Sequence, residues 1–256
     1  YLRISVTDRC NLRCRYCMPE ESFVPLRHQD ILTYEEITRV VGVAVPLGID
    51  KIRLTGGEPL VRKDIVDLVA MIASVPGVKD LGLTTNGILL ESFAGELAKA
   101  GLRRINVSLD TLNRETFHSI TRGGKLDRVI EGILAAKTSG LNPIKVNCVI
   151  PPSGPGEDAR KVEDFCREHG LQIRFIEQMD LSTGQFSVVH GGSGGDCSQC
   201  NRLRLTSNGK IKPCLFSDLE YDIREMGIRQ ALEAAVGMKP EKGSKSQTGC
   251  FHNIGG

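Results

Sequence analysis

The feature that most limits the fold of this chain is a regular alternation of two kinds of apolar segment. Nearly continuous apolar runs predict six buried β-strands, at 2–7, 51–57, 80–87, 104–110, 143–150 and 172–179. Segments with helical periodicity separate them, at 33–48, 64–77, 90–101, 126–140 and 159–170. Strands without polar alternation are typical of parallel sheets that are covered on both faces. The pattern predicts an α/β fold, either an open doubly wound sheet or a barrel.

Polar residues collect where the predicted strands end. The runs "TGGE" at 55–58 and "TTN" at 84–86 follow two of these strands, and Ser108 and Asp110 follow another. The carboxyl edge of a parallel sheet carries the chemistry in barrels and in open sheets alike. We therefore expect the active site at this edge.

The alternation stops after residue 179. The segment 181–196 is rich in glycine and serine and predicts a loop or linker. Beyond it, a hairpin that turns at 208–209 and a helix over 222–237 are expected. The chain is therefore predicted to divide into two regions, 1–179 and 180–256.

Composition argues against several classes of protein. Lysine and arginine number 33 against 31 acidic residues, so nothing indicates a nucleic-acid partner. The most apolar window, 40–49, is too short to cross a membrane, and the first residues look like a strand rather than a signal peptide. Nine cysteines in clusters favour metal ligands in a reducing, cytoplasmic compartment. Cys148 and Cys166 lie inside an apolar strand and a helix, where we expect them to be buried small hydrophobes.

Three cysteines with the spacing C-x3-C-x2-C follow the first predicted strand: Cys10, Cys14 and Cys17. A structural zinc site needs four ligands, and a disulfide would leave one thiol over. A [4Fe-4S] cluster normally takes four thiolates, so three would leave one iron open for a substrate or cosubstrate. A zinc knuckle or a chance group of thiols is the alternative.

This spacing, directly after the first strand of a βα repeat, resembles the signature of the radical S-adenosylmethionine (SAM) superfamily. The run "GGEP" at 56–59 resembles a second motif of these enzymes, in which glycine backbone approaches SAM. The resemblance implies that the three cysteines hold a catalytic [4Fe-4S] cluster whose open iron binds SAM, which is cleaved to a 5′-deoxyadenosyl radical. For Thr84 and Ser108 the alternative role is strand-end capping. The implied cofactor-binding residues are Tyr16, Gly56, Gly57, Glu58, Thr84 and Ser108.

A second cysteine group follows the linker: Cys197, Cys200 and Cys214. These are again three thiols, so the same argument predicts a cluster with an open iron. A zinc ribbon that is completed by Cys250 or His252 stays open as an alternative.

The sequence around the second group resembles the GTP 3′,8-cyclase family of molybdenum cofactor biosynthesis. Matching runs cover nearly the whole chain; they include "LRISVTDRCNLRCRYCMP", "DKIRLTGGEPLVR", "INVSLDTL", "IRFIEQM", "CNRLRLTSNGKIKPCLF" and the terminal "IGG". The resemblance implies an incomplete (β/α)6 TIM-type barrel with a C-terminal iron–sulfur appendage. It also implies a lyase: the radical made from SAM removes the 3′ hydrogen of GTP, and the sugar carbon closes on C8 of guanine.

The same resemblance implies further cofactors and partners. A second [4Fe-4S] cluster would bind the guanine edge. An electron donor such as flavodoxin or ferredoxin would reduce the enzyme, and the next enzyme of molybdopterin synthesis would take its product. The oligomeric state stays open, with a homodimer as one alternative.

A triphosphate requires cations, and arginine forks suit phosphate oxygens. Lys51 and Arg53 are two residues apart and so share one strand face. A buried cation is unfavourable unless it is paired, which makes an anionic ligand a good reason for several. The alternative is ion pairing at the surface or on a solvated hairpin face. The resemblance assigns substrate binding to Arg3, Lys51, Arg53, Lys145, Arg174, Arg202 and Arg204.

The chain departs from the family in one place, because the interval 180–196 is considerably shorter than its counterpart. This shortening alters the wall between the two cysteine groups. Two other functions therefore stay open: a radical SAM peptide maturase whose second cluster relays electrons, and a non-catalytic iron–sulfur or zinc scaffold.

Overall fold

The computed structural model describes residues 1–18, 24–179, 187–192 and 194–244. Its strands are β1 (Leu2–Ser5), β2 (Lys51–Thr55), β3 (Asp80–Thr85), β4 (Arg104–Ser108), β5 (Ile144–Ile150), β6 (Gln172–Glu177), β7 (Leu203–Leu205), β8 (Lys210–Lys212) and β9 (Tyr221–Asp222). Its helices are α1 (Tyr34–Ala44), α2 (Ile65–Ala73), α3 (Leu90–Lys99), α4 (Arg114–Thr121), α5 (Leu126–Thr138), α6 (Glu157–His169), α7 (Ile223–Met226) and α8 (Ile228–Gly237). The six predicted strands and the helices between them are confirmed in kind and order.

All of the described strands form one sheet with the order β6-β5-β4-β3-β2-β1-β7-β8-β9. Strands β1 to β6 run parallel, as βα repeats require, and β7 adds in parallel to the free side of β1. Strands β8 and β9 are antiparallel. Because β6 and β9 are the two outer strands, the sheet is not closed. The fold is therefore the expected incomplete (β/α)6 barrel with an appendage, although the appendage shares the barrel's sheet.

The expectation of strands without polar alternation was wrong, because an apolar outer face and a polar interior alternate along the strands. On β5 the side chains of Ile144, Val146 and Cys148 are buried in the aliphatic core beneath the helices. Lys145 and Asn147 lie between them in sequence and therefore point to the opposite, interior face. Cys166 on α6 is also buried in the core, so both cysteines have the buried positions that were expected.

Local signals set several element boundaries. Thr33 and Glu36 form the predicted capping box at the start of α1, in which Thr33 Oγ1 accepts from the Glu36 N–H at 3.2 Å. The predicted hairpin turn joins β7 to β8. The helix that was expected over 222–237 is interrupted at Gly227, whose φ of 84° lies in the left-handed region that favours glycine.

Helix α4 was not predicted from the sequence. It has eight residues, and Asn113 caps its first turn by accepting from the Thr116 N–H at 2.9 Å. None of the described helices has the length and hydropathy that a membrane span needs.

Candidate active site

The first cysteine group lies in a loop that follows β1, at the carboxyl edge of the sheet. The loop is tied to the end of α4, because the N–H groups of Arg13 and Arg15 donate to the carbonyls of Thr121 and Ile120 at 3.1 and 3.0 Å. Within it, the N–H groups of Cys17 and Met18 both donate to the Cys14 carbonyl. Helix α4 therefore serves as the support on which the three thiols are presented.

The three thiols form one electrostatically coupled group. Burial raises the pKa of Cys10 to about 11 and that of Cys14 to about 12, and the neighbouring thiols add to both effects. Burial also raises the pKa of Cys17. The Leu12 N–H points at the Cys10 sulfur at 3.4 Å. Thiols of this kind stay protonated until a metal favours the thiolate form.

The donor set suits a multi-iron cluster better than a single ion. Within the described residues, no group of three or more His, Cys, Asp or Glu side chains has the arrangement of a metal-ion site. A [4Fe-4S] cluster presents its irons at separate corners, so its thiolates need not converge on one point. What the three cysteines offer such a cluster is three sulfur donors on one loop, within eight residues of chain.

The turn after β2 packs against the base of the cysteine loop. A Cβ at Gly56 would lie 2.7 Å from the Thr7 carbonyl oxygen, and one at Gly57 would overlap the Arg9 carbonyl. The N–H groups of Gly57 and Glu58 donate to the carbonyls of Thr7 and Arg9 at 2.7 and 2.8 Å. Both glycines are thus required for this close contact between chain segments, which is a different reason from the approach to SAM that was expected.

Glu58 is buried and joins three segments of the site. Its Oε1 accepts from the Thr85 hydroxyl at 2.7 Å and from the Leu60 N–H at 3.0 Å, and its Oε2 accepts from the Asn86 N–H at 2.7 Å. Burial raises the pKa of Glu58 to about 7, against the opposing effect of these donors. The carboxyl group of Glu58 therefore holds the turn after β2 to the end of β3.

Asn86 continues this network to the cysteine loop. Its Nδ2 donates to Asn11 Oδ1 at 2.8 Å and points at the Cys10 sulfur at 3.8 Å. The prediction included the run at 84–86 only as polar strand-end residues and assigned Asn86 no role. A single asparagine after a strand matches no motif in the sequence, and the contact between Asn86 and the Cys10 sulfur is seen only in the folded structure.

Tyr16 lies at the outer side of the same edge. Its hydroxyl donates to Asp110 Oδ2 at 2.8 Å, and Asp110 Oδ1 accepts from the Val149 N–H at 2.8 Å. Burial raises the pKa of Asp110. This contact ties the tyrosine of the cysteine loop to the segment that follows β4.

Several polar atoms on the interior face have no hydrogen-bond partner within the described part of the chain. They are Thr84 Oγ1, Asn106 Oδ1 and Asn147 Oδ1, all of them buried. Thr84 is opposite Asn106 in the β3–β4 register, and Ser108 is opposite Asn147 in the β4–β5 register. Buried polar atoms are normally satisfied, so orphaned atoms in one region fit a polar ligand such as SAM.

Below this edge, toward the amino ends of the strands, the interior is lined with cations. The strand registers place one lateral row across five strands: Arg204, Arg3, Arg53, Gly82 and Arg104. Lys145 and Arg174 lie on β5 and β6. Burial lowers the pKa of both side chains, and repulsion from Arg53 and Arg104 adds to the effect at each; Arg174 also lowers the pKa of Lys145. Six of the strands thus contribute a positive charge to one shared interior.

The electrostatics of this interior are unfavourable without an anion. Burial lowers the pKa of Arg3 to about 10, and repulsion from Arg53 adds to that effect against the attraction of Tyr1. Burial lowers the pKa of Arg204 to about 9, with repulsion from Arg3 added and the Cys214 thiol opposing it. Arg53 Nε donates to the Tyr1 hydroxyl at 2.8 Å, while its buried Nη1 has no partner among the described residues.

The remaining predicted cations lie at the rim of this interior. Lys51 is exposed at the first position of β2, beside Asp80 in the β2–β3 register. Arg202 precedes β7 and lies over the ring of Tyr1, with its guanidinium carbon 5.9 Å from the ring centre. Lys51 is therefore the exposed member of the predicted set, whereas Arg202 is near enough to Arg3, Arg174 and Arg204 to lower the pKa of each.

The second cysteine group lies at the opposite edge of the sheet from the first. Cys197 and Cys200 form a turn before β7, in which the Cys200 N–H donates to the Cys197 carbonyl at 3.2 Å. Cys214 comes directly after β8, and the antiparallel register of β7 and β8 brings it to the same end of the hairpin. Since β7 runs parallel to β1, this end is the amino edge, whereas Cys10 follows the carboxyl end of β1. Cys250 and His252 lie outside the described residues.

Two family profiles together match most of the chain. Residues 4–168 match the Radical SAM superfamily, and residues 182–243 match the family described as Molybdenum Cofactor Synthesis C. The first match covers more than half of the chain and contains the first cysteine group.

Proteins of similar sequence agree with both matches. The GTP 3′,8-cyclase of Thermodesulfovibrio yellowstonii is 40% identical over 94% of this chain and 92% of its own length. The enzyme of the same name from Geobacter sulfurreducens is 40% identical over 98% of this chain and 93% of its own length. The first of these alignments is 295 positions long against 256 residues here, so part of the relative has no counterpart in this chain.

Solved structures agree on the fold. Streptococcus suis SuiB bound to S-adenosylmethionine superposes with a TM-score of 0.65 at 19% identity, over 88% of this chain and 63% of that one. Native anSMEcpe with bound AdoMet gives a TM-score of 0.64 at 16% identity, over 99% of this chain and 82% of that one. The chain therefore belongs to the radical SAM superfamily and, within it, to the GTP 3′,8-cyclase family.

Proposed function

We propose that this chain is a radical SAM lyase that converts GTP into 3′,8-cyclo-7,8-dihydro-GTP, the first step of molybdopterin synthesis. The name and the 40% identity of the full-length relatives support this reaction. The structural observation that carries it is the cationic interior between two thiol groups at opposite edges of one sheet. Such an interior suits a substrate that is anionic and must be presented to one edge.

At the carboxyl edge, Cys10, Cys14 and Cys17 would hold a [4Fe-4S] cluster. With SAM bound, this cluster would supply the electron for reductive cleavage of SAM to methionine and the 5′-deoxyadenosyl group, whose radical chemistry removes the 3′ hydrogen of GTP. The unsatisfied Thr84 hydroxyl supports a contact with SAM, and Ser108 and Tyr16 are proposed to contact it from the neighbouring strand and loop. Glu58 and the two glycines before it would position SAM by holding the turn that follows β2.

In the interior, the cations would bind the triphosphate. Arginine forks can engage phosphate oxygens in pairs, and each such bond satisfies N–H groups that are otherwise buried without a partner, as at Arg53 and Arg174. The anion would also relieve the mutual repulsion of these side chains. The proposed substrate-binding residues are Arg3, Lys51, Arg53, Lys145, Arg174, Arg202 and Arg204.

At the amino edge, Cys197, Cys200 and Cys214 are proposed to hold a second [4Fe-4S] cluster that anchors the guanine. The pairing of β7 with β8 supports a common site for these thiols, and Cys214 is close enough to Arg204 to affect its pKa. Residues 180–256 would form this cluster-binding region. A flavodoxin or ferredoxin is the proposed reductant, and the next enzyme of molybdopterin synthesis the proposed recipient of the product.

The decisive experiment follows a single hydrogen atom. The anaerobically reconstituted and reduced protein is incubated with SAM and with GTP that carries deuterium at the 3′ position, and 5′-deoxyadenosine is analysed by mass spectrometry. Deuterium in 5′-deoxyadenosine, together with a cyclised nucleotide, is the expected result. SAM cleavage without deuterium transfer, or at a rate that GTP does not change, would overturn the assignment.

A further inference from the structure

The row of interior arginines contains one residue to which neither the sequence nor the family assignment gave a role. In this row β3 contributes Gly82, and β4 contributes Arg104 beyond it. A Cβ at Gly82 would lie 3.2 Å from Arg104 Cγ and 3.3 Å from Arg104 Nε. The Arg104 side chain therefore lies across β3, over the glycine, in the direction of Arg53. Gly82 leaves the room that this crossing needs.

Asp80 holds this side chain in place. Arg104 Nη2 contacts Asp80 Oδ2 at 2.5 Å, and each side chain is only 22% exposed. Asp80 is two residues before Gly82 on the same strand, so the carboxylate and the crossing guanidinium share one face. The ion pair uses one edge of the guanidinium, while Nε is buried and has no hydrogen-bond partner in the described part of the chain.

Arg104 also belongs to the charge cluster of the interior. Arg104 is among the charges that lower the pKa of Arg174 and of Lys145. The pKa of Arg104 is itself lowered, mainly by burial and then by repulsion from Arg53. A guanidinium that lies near three other cations and has a buried N–H without a partner among the described residues suits phosphate oxygens.

We propose that Arg104 is a further phosphate-binding residue, which Asp80 positions across Gly82 so that its free Nε–H faces the polyphosphate of the substrate. This inference rests on the proposed function, since it requires the triphosphate to occupy the cationic interior. Arg104 lies two strands beyond Arg53 in the row. A longer polyphosphate can reach more of this row, so we expect Arg104 to contribute more to the binding of GTP than to that of GMP.

A purely structural ion pair between Arg104 and Asp80 makes the opposite prediction. If the pair only joins β3 to β4, removal of either partner has the same effect on the protein. If Arg104 binds phosphate, loss of its charge weakens binding, whereas loss of the Asp80 charge leaves one more net positive charge in the interior. The two substitutions then change nucleotide affinity in opposite directions.

The test measures GTP and GMP binding by isothermal titration calorimetry on the anaerobically reconstituted full-length chain. Arg104→Gln should weaken GTP binding by about tenfold to a hundredfold, the range for a charge-assisted hydrogen bond, and change GMP binding less than twofold. Asp80→Asn keeps a side-chain oxygen that can accept from Arg104 Nη2, so the guanidinium stays in position while the negative charge is removed. This variant should bind GTP as tightly as the unsubstituted protein or more tightly. Arg103→Gln is the matched control, because Arg103 is the exposed neighbour in sequence, and it should leave both affinities unchanged.

The outcomes distinguish a failure of the proposed phosphate site from a failure of the role of Arg104. If the unsubstituted protein does not prefer GTP to GMP, the phosphate site of the proposed function is wrong. If it does, and Arg104→Gln keeps the full preference, only the role of Arg104 is wrong. Equal losses in Arg104→Gln and Asp80→Asn would also overturn that role in favour of a structural pair. Should Arg104→Gln not fold, the GTP affinity of Asp80→Asn decides, since a fall there contradicts the inference.

Discussion

The cationic interior predicts that Arg3 supports nucleotide binding at the expense of stability. Burial and neighbouring arginines lower the pKa of Arg3 from its ordinary value to about 10, which corresponds to about 3 kcal/mol against the charged form. The substitution also removes the interactions that Arg3 makes in the folded protein, so we expect Arg3→Met to gain only about 1–2 kcal/mol in free energy of unfolding. Methionine keeps the length of the side chain and removes its charge.

The stability gained in Arg3→Met should not depend on pH below about pH 10. The pKa is lowered in the folded state, so below about pH 10 the guanidinium is charged in both the folded and the unfolded protein, and the penalty is constant. The gain in Arg3→Met should therefore be the same at pH 6 and pH 8. Urea unfolding of the nucleotide-free protein, followed by circular dichroism, measures it.

Nucleotide reverses the order of stability. At a GTP concentration one hundred times its dissociation constant, the unsubstituted protein gains about 2.7 kcal/mol, and Arg3→Met should lose most of this gain. Arg160→Met, on the exposed face of α6, is the control and should stay within about 0.5 kcal/mol in both conditions. An Arg3→Met protein that is less stable than the parent without nucleotide, or that GTP stabilises fully, would refute the reasoning.

Three other predictions concern the two edges of the sheet. Burial raises the pKa of Glu58 to about 7, so between pH 4.5 and 7 the carboxyl group stays protonated in the folded protein and ionises in the unfolded one. Over this range the unsubstituted protein should lose up to about 3 kcal/mol more free energy of unfolding than Glu58→Gln. If urea unfolding shows the same pH dependence for both proteins, the prediction is wrong. Asn86→Ala removes an amide from the Cys10 sulfur and should lower the reduction potential of the first cluster, as measured by a redox titration with electron paramagnetic resonance; an unchanged potential would exclude the contact. Cys214→Ser should lower the iron content from about eight to about four atoms per chain and preserve SAM cleavage. An iron content of about four atoms per chain in the unsubstituted protein would exclude a second [4Fe-4S] cluster.

Much of the fold could be predicted because its signals are local. Apolar runs identified the parallel strands, and Thr33 with Glu36 identified the start of α1. The spacing of Cys10, Cys14 and Cys17 indicated the radical SAM superfamily, which the family match over residues 4–168 confirms, because three thiols within eight residues have few other uses. Helix α4 gave no comparable signal, since it is short and mostly polar and its contacts with the cysteine loop form only in the folded chain.

The features that escaped prediction depend on how distant segments meet. Glu58 was expected to contact SAM, but its hydrogen bonds to Thr85 and Asn86 require β2 and β3 to be paired. Arg104 was missed for the same reason. Its place beside Arg53 follows from the strand register and from the absence of a side chain at Gly82, and sequence spacing reveals neither.

The depth of each residue along the strands assigns separate tasks to the two halves of the barrel. Arg53 is three residues before Gly56, so the arginine row lies about 10 Å from the turn that adjoins the first cysteine group, at 3.3 Å per residue. A polyphosphate that is bound at this row is therefore kept away from the carboxyl edge, and only the remainder of the nucleotide can approach it. If the row binds the polyphosphate as proposed, it would fix the distance of the nucleotide from this edge and so determine which sugar hydrogen is presented there, because catalysis by positioning is sensitive to displacements of about 1 Å. The unfavourable electrostatics of the empty interior are consistent with this role, since charges that are held in place before the substrate binds need no rearrangement afterwards.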